Sequence, residues 1–351
     1  MQGHDNDVRK DAGQLNFEIH NSPEIFDRLA PEWNALVRRS ASNRIFSTLE
    51  WQANWWYAFD PGPLHVLTCR DAAGLLLAIA PLFIDDIDGE RVLSLVGCKE
   101  VTDYLDIIID REALGDLLPA VVDQICTMQP LYDRIEICNV PEASPVLKSL
   151  PQLLKNRGFS VEVRQEDVCP VVELPATWGE YLNSLDKKQR HELRRKLRRA
   201  QAPALDMDWY YVGPEHDLDV EMGHFLELMA TSDHAKSSFL EGPGNRDFFR
   251  NIAAVMLERG WLRLSFLTIG GQRAASYLNF VCNNEMLVYN SGLRPDTWGH
   301  LSPGIVLLAW NIRHSIEEGM SRFDFLQGNE TYKYQMGGRD EAVFNLYARA
   351  L

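Results

Sequence analysis

Apolar and polar positions change in step along two stretches of the chain, and each stretch predicts the same run of elements. In the first, alternation over 65–70 predicts a strand, 71–74 a turn, and 75–84 a long strand carrying Pro81. A turn at 85–90 leads to a strand over 91–97, a loop, and a strand over 104–109. A helical period follows over 112–126, then a strand over 134–138. In the second stretch, strands are predicted over 262–268, 272–282 and 286–291, separated by Gly270-Gly271 and Asn283-Asn284. A helix over 304–318 and a strand over 322–326 complete it. Helical sequence precedes each stretch, over 24–39 and over 218–260 with a break near Gly242. Gly74 corresponds to Gly271, Gly97 to Gly292, and 133–137 to 321–325. We read a duplication of one strand–strand–strand–helix–strand unit. The expected fold is α/β, with mixed, mostly antiparallel sheets flanked by helices and two domains, 1–170 and 171–351.

Composition narrows the class. A chain of 351 residues, 46% hydrophobic, is long enough for two packed cores. Its longest apolar runs fall short of the roughly 20 residues that cross a bilayer. The polar opening around His4, Asp5, Arg9 and Lys10 has no apolar stretch behind it, so no leader is expected there. Cys69, Cys98, Cys126, Cys138, Cys169 and Cys282 are scattered and lack a Cys-x-x-Cys pair. Reduced thiols in the cytoplasm are therefore expected, and the nine histidines show no metal-ligand spacing. Net charge is −15, which opposes general nucleic-acid binding and DNA as a partner. Against this balance, 187–199 holds eight basic residues and one acidic, a local +7 that leaves −22 for the rest. A solvated helix is its plain reading; tRNA, an anionic glycan and a phosphate-rich substrate are the functional ones.

Several blocks resemble a known family. They are 272–277 (Gln-Arg-Ala-Ala-Ser-Tyr), 289–292 (Tyr-Asn-Ser-Gly), Ser302-Pro303-Gly304, and 323–333 running from Phe323 to Tyr332-Lys333. The first half adds Phe46, Ser47 and Trp51, and Gly97 with Asp103, Tyr104 and Asp106. Together they resemble the CelD-type or BioF2-like acetyltransferases of the GNAT superfamily, relatives of the Fem aminoacyltransferases. The resemblance implies tandem GNAT-like domains and an acyl-CoA-dependent N-acyltransferase with acetyl-CoA or another acyl-CoA as co-substrate and no metal. Its acceptor would be an amino sugar, another glycan precursor, or a small amine. Two alternatives stand: a Fem-like transferase using aminoacyl-tRNA, and a non-catalytic protein that keeps the fold. The second draws on the absence of the usual Gln/Arg-x-x-Gly-x-Gly/Ala loop, which 294–304 only approximates.

Acyl transfer to an amine needs an anion cradle, a base, and donors for developing negative charge. Ser302 as cap, Pro303 and Gly304 would open a helix with free amides, placing Ser302, Gly304 and Ile305 at the donor with Tyr289. A well-capped core helix is the plainer reading of the same residues. Asp324, Glu330, Tyr332 and Lys333 sit at a strand end, where open α/β sheets bind ligands. Asp324 and Glu330 would hold an amine or act as base, Tyr332 would protonate the leaving thiolate, and Lys333 would meet negative charge. Asp103 is a second candidate base, with Asp106 and Tyr277 on the acceptor side. Ordinary solvated ions and packing aromatics are the alternative for this set. His234 and Lys236 are weaker acceptor contacts, and Trp51, Trp55 and Trp56 read as core at helical spacing.

Overall fold

The computed structural model describes residues 15–98 and 101–351. The strands in chain order are β1 (Asn16–His20), β2 (Leu64–Arg70), β3 (Leu76–Ile87), β4 (Glu90–Leu95), β5 (Ile108–Ile109), β6 (Arg134–Pro141) and β7 (Phe159–Glu173). They continue with β8 (Met207–Tyr211), β9 (Leu262–Ile269), β10 (Gln272–Cys282), β11 (Glu285–Leu293), β12 (Arg322–Asp324) and β13 (Arg339–Ala350). Twelve form one path, β1-β2-β3-β4-β6-β13-β7-β12-β11-β10-β9-β8, with β5 paired onto β3.

The order is a palindrome of the two units. In each, an antiparallel meander leads through a helix to a parallel strand: β4 to β6 across Leu114–Thr127, and β11 to β12 across Pro303–Glu317. A parallel neighbour requires such a crossover, and each helix supplies it. Each unit then gives its last strand to the other. β7, which follows the first unit, pairs with β12, while β13 returns to lie between β6 and β7. The boundary expected at 170/171 falls within β7, a strand that pairs with both β12 and β13.

Packing joins them too. Thr48 caps the Leu49–Phe59 helix through its side chain, and Trp51, Trp55 and Trp56 are buried on it as expected. Trp51 stacks edge-on against Phe248, Phe280 and Tyr289 of the second half, with centroids 5.4, 6.0 and 5.3 Å away. Its indole N–H donates to Thr102 Oγ1 at 3.0 Å, so the polar tip is satisfied inside the core.

Three expectations need correction. The strand over 104–109 shrinks to β5, because Leu105 N donates to Asn139 O and Asp106 Oδ1 accepts from Ile107 N, drawing the segment off the ladder. Cys98, just past β4, and Cys138, within β6, were expected as thiols but are disulfide-bonded, with Cα atoms 5.5 Å apart. Ser302 does not cap with its side chain. Its backbone is left-handed, at φ 56°, and its hydroxyl points elsewhere.

Gly292 shows how tightly the second unit is closed. A Cβ there would lie 2.6 Å from both Leu228 Cβ and Met229 N, on the Leu218–Ser232 helix that lies across β11. Backbone cannot yield as a side-chain tip can, so Gly292→Ala is expected to destabilise the protein by about 1–3 kcal/mol. An unchanged denaturation midpoint would show that the helix is not seated so closely.

Candidate active site

Two adjoining cavities lie in the second half, and one of them also takes Val101 and Asp103 from the first. The first, about 200 Å³, lies at the head of the Pro303–Glu317 helix and includes Leu293, Ser302, Gly304 and Ile305 in its wall. Pro303 brings no N–H, and the amides of Gly304 and Ile305 precede the first closed bond, Val306 N to Ser302 O at 3.1 Å. The helix head therefore offers free donors and the positive end of its dipole. Ser302 Oγ accepts from Lys196 Nζ at 2.8 Å, which brings an ammonium to the same spot. Gly304 is shaped by packing: a Cβ there would meet Leu293 Cδ2 at 2.8 Å. Ile305, half-buried, lines the same cavity.

The second cavity, about 270 Å³, is polar and holds Asp103, Lys236, Gln327, Glu330 and Lys333. Tyr277 and Tyr332 line both cavities, so their rings stand at the joint between them. Burial raises the pKa of each phenol, and for Tyr332 the Glu330 carboxylate adds to the effect. Both therefore keep their protons across the neutral range and act there as hydrogen-bond donors. Tyr289 lines the cleft with its ring while its hydroxyl donates to Val101 O at 2.8 Å. That bond ties it to the first half, away from the helix head where it was expected to serve the donor.

Asp103 is the buried carboxylate of this cleft whose titration is most displaced. Burial pushes its carboxyl up to about 7, and Asp324 adds to the rise, against the Gln327 backbone N–H and Lys333. Gln327 N donates to Asp103 Oδ1 at 3.2 Å, and Gln327 Nε2 to Asp103 O at 2.9 Å. One residue of the second half thus holds Asp103 at its carboxylate and at its backbone carbonyl. Lys236, half-buried, donates to Ser291 O at 2.6 Å and to Ser291 Oγ at 3.2 Å, and burial lowers its pKa.

The remaining expected residues divide. Asp324 is fully buried and lies off both cavity walls. It accepts from Tyr104 Oη at 2.9 Å and from Leu326 N at 2.8 Å, with its pKa raised to about 6, chiefly by burial. It holds the Tyr104 segment, and so Asp103, against the second half. Asp106 is buried behind that segment, accepting from Ser144 Oγ at 2.7 Å and Ile107 N at 2.9 Å, and faces a separate cavity of about 100 Å³ beside Arg44. It is not brought to Glu330 and Tyr277. Lys333 lines the cleft, but its ammonium is engaged by the carbonyls of Leu326, Gln327 and Gly328 at 3.0, 2.6 and 3.1 Å and by Glu330 Oε2 at 3.0 Å. Gln327 and Ser291 were not singled out from the sequence. Both lie inside the blocks that carried the resemblance; Gln327 acts through a contact between the halves and Ser291 through its carbonyl and hydroxyl to Lys236, neither of which a local pattern signals. Among the described residues, no group of three His, Cys, Asp or Glu side chains could hold a metal ion, and no helix is long and apolar enough to cross a membrane.

Comparison with known proteins places this geometry in a family of folds. Residues 187–334 match the acetyltransferase (GNAT) domain model, which bears out the resemblance read from the sequence. The whole fold is similar to FemX, with TM-score 0.65 at 13% identity, covering 96% of this chain and 97% of that one. It is also similar to the C-terminal domain (DUF2156) of a putative lysylphosphatidylglycerol synthetase from Agrobacterium fabrum, at 0.57 and 13%, covering 92% of each. A tandem GNAT protein from the clavulanic acid biosynthesis pathway gives 0.51 and 12%, covering 95% of this chain and 98% of that one. At such identities the likeness is one of fold. No curated protein sequence matches the chain.

Proposed function

We propose that this chain, with its GNAT domain over 187–334, transfers an acyl group from an acyl-CoA to the amino group of an amino sugar or other small amine. One observation carries the reading: a carboxylate raised to about 7 stands in a polar cleft that meets, past two tyrosine rings, a cavity at a helix head. The helix head suits the donor's pyrophosphate, since free amides and the dipole favour an anion there. The acceptor enters as an ammonium, which Asp103 and Glu330 attract. Asp103 takes its proton, the amine nitrogen bonds to the acyl carbon, and the carbon–sulfur bond breaks. Tyr277 and Tyr332 donate hydrogen bonds to the charge that develops on oxygen and sulfur, and the thiolate takes a proton as it leaves. Asp324 and Lys333 position these groups without touching the substrate.

The test is thiol release from acetyl-CoA and longer acyl-CoAs, with glucosamine and a panel of small amines as acceptors. Amine-dependent release, with a rise in Tm on adding the acyl-CoA, is the expected result. No release and no change in Tm with any acyl-CoA would overturn the proposal. The basic helix favours a second reading, an aminoacyl-tRNA donor, and the experiment below separates the two.

A further inference from the structure

A cavity of about 650 Å³ has no part in the chemistry above. It runs along the Lys187–Ala200 helix, whose Lys188, His191, Arg195, Lys196 and Arg198 line it over a floor that includes Leu193, Ile305 and Met336. Glu192 also lines it, engaged by Arg195 at 2.7 Å and by Lys196 at 3.8 Å. Among the described residues, Lys188 and Arg198 have no carboxylate within ion-pair distance, and both are exposed. A chain of −15 could readily have neutralised such a helix, yet leaves these cations facing a groove.

The groove also continues the donor cavity. Ile305 lines both, Lys196 Nζ donates to Ser302 Oγ at 2.8 Å, and Arg199 Nη2 donates to His300 O at 2.8 Å. The basic helix is thereby fastened to the loop that heads the Pro303–Glu317 helix. Cations beside a free helix head extend a site for one phosphate group into a site for several.

We propose that this groove binds the nucleotide end of the donor, with Lys188, Arg195 and Arg198 meeting the 3′-phosphate of coenzyme A. The inference rests on the acyl-CoA reading and names the part of the donor that the chain reads. The observations favour a single nucleotide over an RNA. The basic face extends only about 21 Å, at 1.5 Å per residue over a 14-residue helix. The remaining −22 would repel a polyanion reaching further.

Calorimetric titration of CoA and of 3′-dephospho-CoA into the wild type and into a Lys188→Gln/Arg198→Gln variant tests it. The wild type should bind CoA about tenfold or more tightly than dephospho-CoA, the variant should lose most of that difference, and dephospho-CoA should bind both proteins alike. A circular-dichroism melt checks that the variant, altered at two exposed positions, is folded. Equal binding of CoA and dephospho-CoA by the wild type would overturn the inference while leaving the acyl-CoA reading intact. No binding of CoA at all would overturn both. Tighter binding of bulk tRNA than of CoA, lost in the variant, would overturn the inference and assign the groove to RNA.

Discussion

Asp103→Asn should lower turnover by orders of magnitude while leaving the protein as stable as before, or more so. The substitution keeps the shape, and the amide oxygen can still accept from Gln327 N, which reaches Asp103 Oδ1 at 3.2 Å in the wild type. What it removes is the proton acceptor, an effect of roughly 10²–10⁴ on kcat/KM for a general base. The pH dependence makes the test specific. The carboxyl of Asp103 titrates at about 7, so wild-type kcat/KM should fall about tenfold per pH unit below that value and level off above it. Asp324 and Asp106 are raised only to about 6 and lie off the cleft, so neither should set this limb.

Stability should move the opposite way. The pKa of Asp103 is raised in the folded state above its unfolded value of 3.8, so its contribution is present below pH 3.8 and is lost as pH rises through about 7. The asparagine variant lacks that loss, and its Tm relative to wild type should improve between pH 5 and pH 8. Retained activity, or an acid limb that persists unchanged in the variant, would remove Asp103 from the role of base.

How much of this was legible beforehand depended on how local the cause was. The meander of the second unit was readable because its turns carry their own chemistry: Gly270, Gly271, Asn283 and Asn284 all adopt positive φ. β7 and β13 left no comparable trace. The middle of β7 has Glu162, Arg164 and Glu166 on one face and Val163 and Gln165, also exposed, on the other, so no buried face marks it until β13 is laid beside it. The same limit applies to the site. Tyr277, Tyr332 and Asp103 could be picked out as residue types at strand ends and loops. The bond from Tyr104 to Asp324, across 220 residues of sequence, could not, and it alters the part Asp324 plays. Ser302 shows a subtler case: Ser-Pro-Gly does open a helix, but the left-handed backbone of the serine turns its hydroxyl to Lys196 and leaves capping undone.

Lys333 is the sharpest divergence, and its replacement should cost stability as well as activity. A lysine beside Glu330 at a strand end reads as a solvated ion with a free charge, so Lys333→Ala would be expected to spare the fold. In the structure the residue is only 2% exposed. Its ammonium gathers three consecutive carbonyls from a turn in which Leu326 has φ 56° and Gly328 φ 112°. A non-glycine residue held in the left-handed region needs such support. Alanine would leave those carbonyls and the vacated space without a partner, a loss on the order of 2–4 kcal/mol. Because Gln327 lies inside the same turn and fixes Asp103, loosening it should also displace the base, and kcat should fall further than the stability loss alone explains. Arginine, whose planar fork cannot converge on three carbonyls as an ammonium does, should not restore either property. Denaturant midpoints and kcat measured together on Lys333→Ala decide between the two roles. A lower midpoint with lost turnover fits the clamp, whereas an unchanged midpoint with lost turnover would mean that the Lys333 charge acts on the substrate directly.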